Sequence, residues 1–212
     1  MQLIGMLDSP YVRRVAISLQ LLGLRFTHQP LSVFRTFEQF QRINPVVKAP
    51  SLVCDNGEVL MDSTLILEYA EALAGPGRSL MPSAIGDRQH ALRIIGLALA
   101  AGEKSVQIVY EKFQRPPEKQ HEPWMARVTV QLQGAYAVLE QELAHRPLPP
   151  PAESIGQAGI SLAVAWRFTQ EMVPEAVVST NYPRIRDFSM AAETLAVFRA
   201  APYGSGTYLA ED

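Results

Sequence analysis

A single cysteine, Cys54, leaves the chain without a partner for an intrachain disulfide, which suits a reducing compartment. The four histidines, His28, His90, His121 and His145, stand isolated, and none has a metal-ligand spacing with Cys54, so no metal is expected. Charge of one sign is also scarce. The formal net charge of −2 offers no basic field, so neither nucleic acid nor an anionic membrane is expected as a partner. No apolar run approaches the roughly 18 residues of a membrane-spanning helix. The opening MQLIGMLDSPYVRR has no charged segment followed by a long apolar stretch, so it does not read as a signal peptide. No internal repeat is present, and the only low-complexity patch is Pro149-Pro150-Pro151. What is there is ordinary globular material: 212 residues, 48% hydrophobic and 19% charged, enough for one large domain or two small ones with a sizeable core. A cytoplasmic protein is the expectation.

The first third alternates strand and helix signals. Residues 2–7 (QLIGML) read as a buried strand. Ser9 then suits a helix N-cap and Pro10 the first helical position, where the missing N–H costs nothing. Val12, Val15, Ala16 and Leu19 recur at helical spacing, and Gly23 suits a C-terminal stop. Phe26 to Leu31 read as a second strand, giving a parallel pair joined by a crossover helix. Residues 34–43 form a short helical or irregular stretch that ends at Asn44-Pro45. Residues 51–54 and 58–61 flank Asp55-Asn56-Gly57, a hairpin signal, because Asn-Gly tolerates positive φ. Asp62-Ser63 precedes a helical pattern with Leu65, Ile66, Tyr69 and Leu73 on its apolar face and Gly75 at its end.

From about Asp87 the period is helical almost throughout. Trp124, Val128, Leu132, Ala135 and Leu139 recur every three or four residues, and 88–113, 155–172 and 184–199 read the same way. Residues 115–123 and 146–154 are helix-breaking loops, and the last ten residues read as a loose tail. The domain boundary is expected within 76–86, around Gly75-Pro76-Gly77 and Pro82.

Taken together, Ser9 at a strand-to-helix turn, NPVVKAPSL before a strand, MDSTLILEY at a helix start and an all-helical second half resemble the glutathione S-transferase superfamily, particularly its bacterial, serine-type members. The resemblance covers nearly the whole chain. It implies a thioredoxin-like α/β domain over 1–76 and an α-helical bundle domain over 87–212. It implies glutathione as co-substrate, a small hydrophobic electrophile as its partner, and a homodimer. Ser9 aligns with the family's catalytic serine and Pro50 with its cis-proline. Ala49 would offer its backbone N–H and C=O to the cysteinyl part of glutathione. Lys48 aligns with a lysine of the family pattern, and Asp62 and Ser63 with the acidic-serine pair that holds the γ-glutamyl end. Tyr110 and Phe113 fall where the family builds its hydrophobic-substrate site.

Each implied role has a physical reason. A free thiol titrates near 8.5, so holding half of it as thiolate at pH ~6.5 needs about two units, or roughly 2.7 kcal/mol. One or two charge-assisted hydrogen bonds at about 1.5–3 kcal/mol each could supply this, with the helix dipole adding a smaller contribution of the same sign. A γ-glutamyl carboxylate suits a helix N-terminus, where backbone N–H groups lack partners.

Read alone, the same residues have plainer roles. Ser9 and Asp62-Ser63 would be caps, Pro50 a proline at a strand start, Lys48 a solvated charge, and Tyr110 and Phe113 core packing. Cys54 reads as a small buried hydrophobe, and Arg13 and Arg14 as surface or ion-paired residues. Three positions depart from the family pattern. Val47 stands where glycine is common, Asp62 replaces a longer glutamate, and Ser154-Ile155-Gly156-Gln157 puts glutamine where a capping box usually has aspartate. Within the family an isomerase or dehalogenase is the nearest alternative activity, although a single serine fits the isomerase pattern poorly. A non-catalytic glutathione-binding module is the alternative from another class.

Overall fold

Strand β1 (Gln2–Ile4) lies inside a four-stranded sheet of order β2-β1-β3-β4. It pairs in parallel with β2 (Thr27–Gln29), reached through helix α1 (Pro10–Leu21), and antiparallel with β3 (Ser51–Val53). β3 turns into β4 (Val59–Met61) through the expected hairpin. Cys54 N–H donates to the Glu58 carbonyl, and Gly57 takes the positive φ (+88°) that Asn-Gly foreshadows. Helix α2 (Phe37–Ile43) supplies Phe40 to a core cluster with Ile4 and Leu31, flanked by Val33, Ile43, Val47, Ala49 and Val53. Helix α3 (Ser63–Ala74) ends at Gly75 (φ +77°) and packs against α1 and β4. The β-α-β-α-β-β-α order is that of a thioredoxin-like domain.

The structure, a computed structural model, describes residues 1–209. The chain divides into two compact units, Met1–Met81 together with the segment from Thr194 onward, and Pro82–Glu193. The second unit is helical: α4 (Ile85–Phe113), α5 (Glu122–His145), α6 (Gln157–Met172) and α7 (Pro183–Glu193). Its interior holds one satisfied polar cluster. Thr169 Oγ1 donates to the Ala165 carbonyl at 2.9 Å, so the Ser105 and Tyr136 hydroxyls, at 2.8 and 2.7 Å, must donate to it. Burial holds the Tyr136 phenol protonated far above its ordinary range.

The sequence assigns residues 184–199 to one helix and everything beyond 87 to the helical half. The structure departs on both counts. Leu195 is extended (φ −68°, ψ 143°), and the chain restarts as α8 (Ala196–Ala200), which packs on α1 in the first unit. The partner is Arg13. Its Nε–H donates to the Ala201 carbonyl at 2.7 Å, Nη2 reaches the Phe198 carbonyl at 3.4 Å, and the guanidinium lies 5.4 Å from the Phe198 ring centroid. A buried donor-only group thus takes up the Ala201 carbonyl just past α8 and shares the Phe198 carbonyl with the Ala201 N–H. Nor is the tail loose as far as residue 209. Tyr208 stacks on Phe26 at 4.6 Å and donates its backbone N–H to His28 Nδ1 at 3.0 Å, and Leu209 N–H donates to the Ala200 carbonyl at 2.8 Å.

The capping box expected at Ser154 is also absent. Gly156 caps α6, and Gln157 is its first residue rather than its third.

Candidate functional site

Register across the sheet brings the site segments to one end. Ile4 is opposite Ser51, and Ser51 is opposite Met61, so these three form a single row. Beyond Ile4 runs the turn to Ser9. Before Ser51 come Lys48, Ala49 and Pro50, and after Met61 come Asp62 and Ser63. Gly5 (φ +133°) lets the first two segments approach. A Cβ there would lie 3.1 Å from the Ala49 Cβ and 2.6 Å from Val12 Cγ2.

Ser9 is the N-cap of α1, as its Ser-Pro sequence predicts. Its Oγ accepts the Val12 N–H at 3.4 Å, a long bond. That bond uses an acceptor site on the oxygen, and among the described residues nothing takes the hydroxyl proton. Capping and donation to a ligand are therefore compatible. Beside it, burial pushes the Asp8 carboxyl upward, partly offset by the Ser9 backbone N–H and the charge of Arg35.

The Ala49–Pro50 peptide bond is cis. The preceding loop is shaped by a network that sequence reasoning missed. Buried Asn44 donates from Nδ2 to Ser51 Oγ at 2.9 Å, and Ser51 Oγ donates to the Lys48 carbonyl at 2.7 Å. Asn44 also accepts the Val46 N–H at 3.0 Å. Held this way, Val47 adopts φ +52°, a left-handed conformation that a β-branched residue rarely takes. The Lys48 side chain is exposed, and the backbone N–H and C=O of Ala49 are unspent among the described residues.

Asp62 caps α3 by accepting the Thr64 N–H at 2.9 Å and itself sits at φ +69°, ψ 125°. A non-glycine residue there marks a place where local strain is tolerated, as ligand clamps often are. Ser63, almost wholly buried, is the first residue of the helix. Arg14 lies behind it at 3% exposure, where the sequence suggests a surface or ion-paired side chain. Its Nη1 donates to Ser63 Oγ at 3.3 Å and to Thr64 Oγ1 at 3.2 Å, while Nε is buried without a partner. Desolvation lowers its pKa to about 10, against the opposing pull of Asp62 and Tyr11, so it stays charged at neutral pH. The signal available in sequence was α1 itself. With apolar residues at 12, 15, 16, 17 and 19, the helix has little room for a solvated face.

Tyr110 and Phe113 lie on α4 in the second unit and are 44% and 64% exposed, so neither is a buried core residue. Cys54, just past β3, is buried, and desolvation raises its thiol pKa, which fits an inert packing role.

The family model for the glutathione S-transferase N-terminal domain matches residues 3–78. The uncharacterized GST-like protein YibF of Escherichia coli K12 is 28% identical over 176 residues, covering 82% of this chain and 85% of its own. A glutathione transferase family member from Pseudomonas fluorescens Pf-5, solved with bound glutathione, is 28% identical with a TM-score of 0.81, over 94% of this chain and 97% of its own. The first unit carries a glutathione S-transferase N-terminal domain, and the chain as a whole has the fold of solved glutathione transferases. A further glutathione S-transferase, from Methylobacterium radiotolerans JCM 2831 in complex with glutathione sulfonate, shares the fold at a TM-score of 0.85 and 24% identity, over 96% of this chain and 95% of its own. At the corresponding segments this chain carries serine at the strand-to-helix turn, valine in a left-handed loop position and aspartate as the cap of α3. Among its described residues no group of side chains could hold a metal ion, and no helix is long and apolar enough to cross a membrane.

Proposed function

We propose that this chain is a glutathione transferase that binds glutathione along the sheet end marked by Ile4, Ser51 and Met61 and activates its thiol for attack on a small hydrophobic electrophile. The observation that carries this reading is the convergence there of unspent hydrogen-bonding groups: the Ser9 hydroxyl proton, the Ala49 backbone and the N-terminus of α3. The Pseudomonas fluorescens relative, with glutathione bound on the same fold, supports it.

In this reading the Ser9 hydroxyl donates to the sulfur, and the positive end of α1 adds to the stabilisation of the thiolate. Ala49 pairs with the cysteinyl backbone in the manner of a neighbouring strand. Asp62 faces the α-ammonium and Ser63 the γ-glutamyl carboxylate. Lys48 supplies an exposed cation near the cysteinyl segment. Glutathione provides the attacking atom, and the chain positions and polarises it. For the electrophile, the exposed rings of Tyr110 and Phe113 are the candidates. The protein would act in the cytoplasm as a homodimer. The apolar stripe Leu65, Tyr69 and Leu73 of α3, left exposed together with Val59 and Met61, supports an association surface.

Calorimetric titration with glutathione, followed by conjugation of a generic aryl halide, tests the proposal. Saturable binding with turnover is expected. Binding without turnover would make the chain a non-catalytic module, and no binding would remove the glutathione reading. Light scattering on the same sample should return twice the chain mass; the monomer mass refutes the dimer.

A further inference from the structure

The hydrogen bonds of Arg14 occupy one acceptor site on each of its neighbours' hydroxyls. A guanidinium has donors only, so at 3.3 and 3.2 Å Nη1–H must donate to Ser63 Oγ and Thr64 Oγ1. Each hydroxyl therefore acts as acceptor toward the protein interior, and neither proton is donated within the described residues. Asp62 already takes the Thr64 N–H, and the Ser63 and Leu65 N–H groups, at the first turn, have no acceptor inside the helix. What the start of α3 presents is a set of donors backed by a buried cation whose Nε is itself unpartnered. Asp62 and Tyr11 are the ionisable groups that act on that cation, and no carboxylate forms an ion pair with it among the described residues.

We infer that Arg14 is a positioning residue that holds Ser63 and Thr64 as outward hydrogen-bond donors and so makes this helix start selective for a carboxylate over the corresponding carboxamide. A carboxylate accepts from every donor here and answers the buried charge. A carboxamide turns an NH₂ toward the first-turn N–H groups, which cannot accept, and it carries no charge to answer the buried cation. The inference rests on the glutathione reading, since the γ-glutamyl α-carboxylate is the group in question.

The test compares two ligands by calorimetry on the full chain: glutathione, and glutathione with that α-carboxylate converted to the primary amide. Wild type should bind the acid at least about tenfold more tightly, the equivalent of one charge-assisted hydrogen bond. In Arg14→Gln the preference should shrink, since only the first-turn N–H groups still favour the acid, and Arg14→Lys, which keeps the charge but loses the fork, should recover part of it. A general loss of stability lowers both affinities and leaves their ratio unchanged, so the ratio separates positioning from mere structural support. Should Arg14→Gln not fold, Ser63→Ala reads the same ratio and should also reduce it. Equal affinities in wild type, or a preference undiminished in a folded Arg14→Gln variant, overturn the inference alone. No binding of either ligand to wild type removes the glutathione reading and this inference with it.

Discussion

Replacing Ser9 with alanine separates its two jobs, because the structure gives them different weights. The cap bond to Val12 is 3.4 Å long, so its loss belongs at the low end of the capping range, about 0.5 kcal/mol. For a chain of this size that is about 1–2 °C in Tm. Donation from the hydroxyl to a thiolate is a hydrogen bond to a charged group, worth about 1.5 kcal/mol at the low end. Removing it raises the thiol pKa by roughly one unit. Conjugation rates measured from pH 5.5 to 10 should then fall about tenfold wherever the pH lies below both thiol pKa values, and approach the parent's rate above them. Glutathione retention should barely change, since the sulfur is one contact among several. Superimposable pH profiles for Ser9→Ala and its parent would show that the hydroxyl is a cap and nothing more.

Two further outcomes follow from other parts of the chain. His28 donates from Nε2 to the Gly5 carbonyl at 2.7 Å and accepts the Tyr208 N–H at Nδ1, so it must be neutral, and burial lowers its pKa below 6.5. The unfolded chain then binds the proton more readily. Stability present above about pH 6.5 should decline as pH falls toward the lower folded pKa. Denaturant unfolding at pH 7.5 and 5.5 should show a smaller difference for His28→Leu than for wild type, and equal differences would refute this role. In the helical unit, a Cβ on Gly159 would meet Phe188 Cζ at 2.8 Å and Ile155 Cγ1 at 3.0 Å, while one on exposed Gly134 would meet nothing within 4 Å. Gly134→Ala should stabilise by about 0.5–1 kcal/mol through helix propensity, whereas overpacking of about 1–3 kcal/mol should make Gly159→Ala destabilising. Thermal melts giving both variants the same sign would contradict this packing.

Local chemistry made much of the first unit legible. Ser9-Pro10 starts α1, Asp55-Asn56-Gly57 turns the hairpin, and Gly75 ends α3, because each rests on a backbone preference of the residue itself. Arg13 and Arg14 were illegible for the opposite reason. A charge reads as surface until its partners are known, and theirs come from residues 198–201 and 63–64. The break before α8 has no glycine or proline to announce it; packing on α1 imposes it. Val47 misleads differently. A family glycine hints at positive φ, and valine keeps that conformation where Asn44 and the core cluster hold its neighbours and side chain. At the site itself, Ser9, Pro50, Asp62 and Ser63 were visible as a pattern, while the supporting Asn44–Ser51 network needed the fold to appear.

The clasp between Arg13 and Ala201 also orders events during synthesis. The ribosome releases the helix that carries this arginine long before residues 194–201, with the entire helical unit made in between. Until residues 198–201 arrive, the guanidinium lacks the Ala201 and Phe198 carbonyls, so α1 completes these two contacts only after the whole helical unit has been made. Excising residues 1–81 as an independent fragment would take both carbonyls away from the same buried cation.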